Sequence, residues 1–297
     1  MSARCKTVSA IGVVLLLCSA VSAEAACNAE ISNTGLSQET AYDPFGAGEV
    51  LLTREIRIRS TGDPDCAFWL SFHRNPSTGA TLGGSIGYEV QNTGGSSLLS
   101  SQPAGDQPTM FLASSSLAAD AEALLSYRWF IPRGQSATPG AYGDSIELRL
   151  FEASTSNTVD TKTLQLTATV GSTLSINLAG ADVTSPYNHS MDFGALAQGA
   201  HRTIEIGVRS NQSYRLSFES AKAGVLGLDG SGNWTVPYEA TLAGSPLVLT
   251  SSTTAGPFSP TDASGTNRQF RVTIGEVTGR RAGTYSDEIT IRVEVAP

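Results

Sequence analysis

The residues of this chain best suited to chemistry are few and scattered. Gly83-Gly84-Ser85-Ile86-Gly87 satisfies G-x-S-x-G, which presents a serine nucleophile when it forms the turn between a strand and a helix. Here the motif runs from a Gly/Ser-rich stretch into the strand-like YEVQ with no helical segment behind it, so it reads as a loop. His73, His189 and His201 stand apart, without cysteines or carboxylates at metal-ligand spacing, and are expected on the surface. GLDGSGN (227–233) has the glycines of a calcium loop but lacks its later acidic ligands, so it reads as a tight turn. Trp69, Trp129 and Trp234 could form a sugar platform. Trp129, however, shares an alternating face with Leu125, Tyr127 and Ile131, and Trp69 lies three residues from Cys66, so core packing is the expectation. Three Asn-x-Ser/Thr sequences begin at Asn188, Asn211 and Asn233 and acquire meaning only in a glycosylating host. The reading assigns no catalytic residue, no metal ligand and no cofactor, and the chain is read as a non-enzyme.

The N-terminus explains where the chain works. Arg4 and Lys6 precede the apolar run Ile11–Cys18, and small residues follow to Ala25 and Ala26, which is the pattern of a secretory signal peptide spanning 1–25. The apolar run is about half the ~20 residues a membrane-spanning helix needs, and no later run is longer, so no membrane span is expected. Export leaves two cysteines, Cys27 and Cys66, which pair most simply as one disulfide in an oxidising compartment. Loss of Arg4, Lys6 and Glu24 with the leader takes the net charge from −8 to −9, and only Lys162 and Lys222 remain as lysines. With the arginines spread singly along strands there is no basic stripe to neutralise phosphates, which argues against nucleic acid as a partner.

The elements that hold these residues come in two copies. PGAYGDSIELRL (139–150) and AGTYSDEITIRV (282–293) share G-x-Y-x-D-x-I-x-[LI]-R-[LV] at a spacing of 143 residues, and REIRIRSTGDPDCAFWLSF (54–72) matches RTIEIGVRSNQSYRLSF (202–218) in the same order. Each copy is a series of short alternating runs broken by Gly, Pro, Ser, Asn and Asp clusters. That pattern predicts an all-β chain of two tandem immunoglobulin-like antiparallel sandwiches, an N-terminal one over 26–170 and a C-terminal one over 171–297. The single helix-like patch, SLAADAEALL (116–125), is expected to be a loop with a turn of helix.

The copies differ at their ends. After its G-x-Y-x-D strand the first copy continues into TKTLQLTATV, where Leu164, Leu166, Ala168 and Val170 alternate with polar residues as a hairpin partner. The second copy carries Ile289, Ile291, Val293 and Val295 on the matching strand without such a segment behind them, which predicts an unpaired edge and an unfilled slot in its core. Four buried aliphatic side chains contribute roughly 6 to 12 kcal/mol, comparable to the whole stability of a domain at about 5 to 15. Either another chain donates the strand by β-strand addition, or an N-terminal segment of the same domain covers the edge, or the second sandwich is simply shorter.

YDPFGAGEVLL (42–52), FIPRGQSATPGAYGDSIELRL (130–150) and FRVTIGEVTGRRAGTYSDEITIRV (270–293) resemble the spore coat protein U domain, the pilin-like domain of archaic chaperone-usher pili. The resemblance covers nearly all of the mature chain. It implies an incomplete sandwich completed by a neighbouring subunit's extended segment, and a two-domain tip subunit at the cell surface that mediates attachment. The implied partners are a periplasmic chaperone, an outer-membrane usher, the next pilin subunit and a host or abiotic surface. On this reading the mature N-terminus, tied down at once through Cys27 and Cys66, has no strand to give. TKTLQLTATVGSTLSI, which looks like a pilin donor segment running into its first strand, is used up between the two domains. The second copy departs from the family in lacking the cysteine pair that many of these domains carry. The alternative is a self-contained extracellular coat or carbohydrate-binding protein. Strand parity further predicts that the loops near 75–85, 113–123 and 153–161 share the pole far from the second domain, where Leu82, Leu117 and Val159 would form an exposed apolar cluster that binds the target surface.

Overall fold

A computed structural model of the chain describes residues 27–62, 65–101, 108–178, 188–230 and 233–296. The expected leader, 1–25, lies outside them. The first copy contains β1 (Ala29–Ile31), β2 (Ser37–Tyr42), β3 (Val50–Ser60), β4 (Phe68–His73), β5 (Thr81–Leu82), β6 (Ile86–Gly87), β7 (Glu89–Gln91), β8 (Leu99–Ser100), β9 (Leu112–Ala113), β10 (Glu122–Ile131), β11 (Gly140–Glu152) and β12 (Thr158–Val170). The second contains β13 (Leu174–Leu178), β14 (His201–Ser210), β15 (Tyr214–Ser220), β16 (Val225–Leu228), β17 (Thr235–Leu242), β18 (Ser245–Leu247), β19 (Thr253–Phe258), β20 (Thr266–Ile274), β21 (Tyr285–Ser286) and β22 (Ile289–Val295).

The period-two alternation sorts side chains between core and solvent. On β10, Leu125, Tyr127, Trp129 and Ile131 point inward and are buried, and on β12 Leu164, Leu166, Ala168 and Val170 do the same. In the first copy a sheet in the order β1-β3-β10-β7 faces one in the order β2-β12-β11-β4-β8, and their inner faces form one core. In the second copy β13-β14-β20-β17-β16-β21 faces β19-β15-β22 around a separate core that includes Phe218 stacked on Phe270. The result is an all-β chain of two pilin-like sandwiches.

The same place in each sandwich is tied in two ways. Cys27, two residues before Ala29 of β1, is bonded to Cys66, two residues before Phe68 of β4, across a separation of 39 residues. Closing a loop of that size is worth about 4 kcal/mol in the chain-entropy account. In the second copy Ser172, two residues before Leu174 of β13, accepts a hydrogen bond at 2.5 Å from Nε2 of Gln212, two residues before Tyr214 of β15. Asn211 completes this tie: its Oδ1 accepts from the Thr173 amide at 2.9 Å and its Nδ2 donates to the Gly171 carbonyl at 2.8 Å. The side chain read as a sequon is thus only 3% exposed and holds the segment between the sandwiches.

Four expectations are corrected. Only the first part of SLAADAEALL is loop: from Glu122 onward it is strand β10, because pairing with β3 and β7 and burial of Leu125 outweigh its helix propensity. His73 is buried at the end of β4 and bonded through Nε2 to Ser71 Oγ at 2.8 Å, whereas His189 and His201 are exposed. Trp129 lies in the core and Trp69 stacks on Phe111 with ring centroids 4.6 Å apart, but Trp234 is 38% exposed. Leu82 and Leu117 are buried in the first core and Val159 packs half-buried against it, so the three form no exposed apolar cluster. They do not share a pole either. Leu117 pairs with Cys66, near the start of β4, whereas β4 runs antiparallel to β11 and delivers the following loop to the other end, where Gly83 donates to the Gly143 carbonyl at 2.8 Å.

Candidate strand-acceptor site

The two G-x-Y-x-D strands sit in matching registers. In the first copy β11 runs antiparallel to β4 with Leu148 opposite Phe72 and Leu150 opposite Leu70; in the second β22 runs antiparallel to β15 with Ile291 opposite Phe218 and Val293 opposite Leu216. The correspondence persists beyond the ladders: the Ala153 amide donates to the Ala67 carbonyl at 3.0 Å and the Ala296 amide to the Ser213 carbonyl at 2.8 Å. It extends below them too, since Tyr142 Oη donates to the Thr138 carbonyl and Tyr285 Oη to the Arg281 carbonyl, both at 2.8 Å.

The other edges differ. β11 is paired along its length by β12, with Ile146 opposite Leu164, Asp144 opposite Leu166, Tyr142 opposite Ala168 and Gly140 opposite Val170. β22 has β15 on one side, and among the described residues no strand on the other. Burial follows the pairing. Ile146, Leu148 and Leu150 are 0% exposed, while Ile289, Ile291 and Val293, at the same positions, are only half-buried. Val295 holds the place of Glu152 and is 45% exposed. Across from β22 lies β13, whose Leu174, Ile176 and Leu178 are likewise only partly buried against the second core. β13 lies in contact with this edge of the second sandwich, as β1 lies in contact with β12 and β11 in the first.

One more difference has the same cause. In the first copy β2 pairs in parallel with β12 and ends in a turn where Asp43 Oδ1 accepts from the Phe45 amide at 2.9 Å. The second copy keeps the turn, with Asp192 Oδ1 accepting from the Gly194 amide at 2.8 Å, but residues 188–191 ahead of it form no strand. An edge strand needs a neighbour to bond to, and among the described residues the second copy has no counterpart of β12.

Below the ladder each copy carries an anchored carboxylate. Asp144 accepts from Tyr88 Oη at 2.7 Å and from Arg74 Nε at 2.5 Å; Asp287 accepts from Tyr238 Oη and Ser220 Oγ, both at 2.6 Å, and from the Lys222 amide at 2.9 Å. Burial, reinforced by the hydrogen bond to Asp287, pushes the Tyr238 phenol well above its ordinary value of 10.0, and burial with Asp144 does the same to Tyr88. Sequence reading missed these tyrosine–aspartate pairs, although the repeated Asp of G-x-Y-x-D was their signal. What the site offers chemically is the backbone of β22, on whose outer side no strand lies among the described residues, above apolar side chains packed only partly into the second core.

No family model and no curated protein matches the chain. Solved structures do. One is the CsuC–CsuE chaperone–tip adhesion subunit pre-assembly complex from the archaic chaperone-usher Csu pili of Acinetobacter baumannii, at 11% identity, covering 87% of this chain and 97% of that one with a TM-score of 0.40. The CupB6 tip adhesin from Pseudomonas aeruginosa follows at 10% identity, 90% and 93% coverage and a TM-score of 0.39. The CooA pilin subunit from enterotoxigenic Escherichia coli matches 49% of this chain over 97% of its own length, at 15% identity and a TM-score of 0.32. With TM-scores this low, these likenesses decide nothing about what the chain does, and the two-sandwich architecture rests on its own strand pairing.

Proposed function

We propose that this chain is a non-catalytic subunit of a surface fibre, exported through the periplasm, whose C-terminal sandwich (171–297) is completed by a strand from another polypeptide and whose N-terminal sandwich (26–170) is the adhesive head at the fibre tip. During export the strand comes from a periplasmic chaperone, and after passage through an outer-membrane usher from the next pilin subunit; the head meets a host or abiotic surface. The observation that carries the reading is the open edge of β22, with Ile289, Ile291 and Val293 half-buried where the first copy buries Ile146, Leu148 and Leu150 completely. The tip position is supported by β12, which is shaped like a donor strand and whose apolar side chains are already committed to the core of its own first sandwich.

Amide hydrogen exchange on the isolated full chain tests this. Backbone amides of β22 should exchange like those of a locally opening edge, far faster than those of β11, and should become protected when a strand-donating partner is bound. A chain that alone is monomeric and protects β22 as well as β11 would refute the reading.

A further inference from the structure

The half-buried apolar residues of β22 suggest that an incoming strand places its anchors over Ile289 to Val295. The first copy shows a different arrangement. There, the apolar residues of the completing strand face the lower half of the G-x-Y-x-D strand: Leu164 faces Ile146, Leu166 faces Asp144, Ala168 faces Tyr142 and Val170 faces Gly140. Facing Leu148 and Leu150, by contrast, are Lys162 and Asp160. The corresponding positions in the second copy are Ile289, Asp287, Tyr285 and Gly283 below, and Ile291 and Val293 above.

From this juxtaposition we infer that the second sandwich accepts a strand running antiparallel to β22 with two large aliphatic residues facing Ile289 and Asp287, a small residue facing Tyr285 and a medium one facing Gly283. It tolerates polar residues over Ile291 and Val293. The inference rests on the proposed strand acceptance and adds its register and its partner's chemistry. Three observations carry it. Asp287 would seem to call for a cation opposite, but its oxygens are taken up by Tyr238, Ser220 and the Lys222 amide, as those of Asp144 are by Tyr88 and Arg74, and Asp144 faces Leu166, which is 0% exposed. Tyr285 is latched to the Arg281 carbonyl as Tyr142 is to Thr138, which fixes its ring opposite the slot that only Ala168 fills in the first copy. The inner edge is also spoken for in both copies: Ser286 pairs with Gly227 of β16, as Gly143 bonds to Gly83, and among the described residues no strand lies along the outer edge of this lower half. A second copy of this chain does not supply the strand, because its matching residues Leu164, Leu166 and Ala168 are 0% exposed in their own core.

The test extends the full chain beyond Ala296 with a copy of residues 154–170 and reads amide exchange at β21 and β22. The extension should slow exchange of the edge-facing amides by at least about 100-fold, since anything that binds only the folded state protects it. Within the added copy, Ala168→Leu should remove roughly tenfold or more of that protection by overpacking, and Leu164→Ala or Leu166→Ala at least as much. Lys162→Ala and Asp160→Ala in the copy should stay within about threefold. Protection gained but indifferent to Ala168→Leu, or lost with Lys162→Ala, overturns the register alone. An extension that leaves β22 unprotected removes the proposed strand acceptance itself.

Discussion

Leu148 and Ile291 occupy the same position in the two sandwiches, on a strand paired along both sides in the first copy and, among the described residues, along one side in the second, so truncating each to alanine compares a closed edge with an open one. Leu148 is 0% exposed and lies opposite Phe72; Ile291 lies opposite Phe218 but is only half-buried. For Leu148→Ala the lost transfer energy and the enclosed cavity together cost about 3 kcal/mol. For Ile291→Ala about half of the transfer term is already forfeited to solvent and the space left behind opens to the outer side of β22, so about 1 to 1.5 kcal/mol is expected. At roughly 3 °C per kcal/mol for a sandwich of this size, the first variant lowers its own transition by about 9 °C and the second by about 3 to 5 °C. Scanning calorimetry of the full chain reads both, with the transitions assigned by reducing the Cys27–Cys66 bond, which lies wholly within the first sandwich. In a chain carrying the added strand the Ile291→Ala penalty should rise to match that of Leu148→Ala. If Ile291→Ala costs as much as Leu148→Ala in the unextended chain, Ile291 is already fully enclosed and no slot exists.

Two other perturbations follow from the side-chain geometry. Asn211→Ala removes the partners of the Thr173 amide and the Gly171 carbonyl at a site only 3% exposed, and should destabilise the second sandwich by about 2 to 3 kcal/mol in calorimetry; a shift below about 0.5 would show that water replaces the tie. High pH should act unequally: burial raises the phenols of Tyr42, Tyr88 and Tyr127 in the first sandwich and of Tyr238 in the second. A raised folded pKa gives stability fully present below the unfolded value near 10 and lost as pH rises above it, by up to about 1.4 kcal/mol per pH unit for each strongly shifted phenol. The first transition should therefore fall more steeply than the second above pH 10, and Tyr238→Phe should flatten only the second; equal slopes would contradict this.

What could be read from the residues alone was whatever depends on period and repetition. Leu125-Tyr127-Trp129-Ile131 and Leu164-Leu166-Ala168-Val170 alternate because one sheet face is buried, and that alternation is local enough to be visible in the sequence. The difference between the two G-x-Y-x-D strands was visible because the first copy, with TKTLQLTATV behind its strand, supplied its own comparison. Loop residues were misjudged for the opposite reason: no period says whether Leu82 or Leu117 plugs the end of a sandwich or faces water. The strand count that set the pole of Leu82 also had to pass through segments too short to show alternation, such as β5 and β6 at two residues each. His73 was misplaced because its partner Ser71 lies two residues away on the same face of β4, a distance at which a strand pairs side chains and a list of metal spacings does not look. Asp287 belongs to the repeated motif, but its role is not legible there, since its partners Tyr238 and Ser220 come from β17 and β15.

The joint between the copies shows why one strand can decide the fate of both. β12 completes the first sandwich and runs through Gly171, Ser172 and Thr173 directly into β13, which contacts β22. Because the start of β13 is already held by the chain that leads into it, hydrogen bonds from Gln212 and Asn211 suffice where the start of β1 is held by a disulfide. The same continuity means that the segment best suited to lie along β22 cannot do so without emptying the first core of Leu164, Leu166, Ala168 and Val170, at a cost of several kcal/mol. The first sandwich is thereby complete within its own chain. The second keeps the same edge, the same latched tyrosine and the same anchored aspartate, and among the described residues no strand lies along that edge.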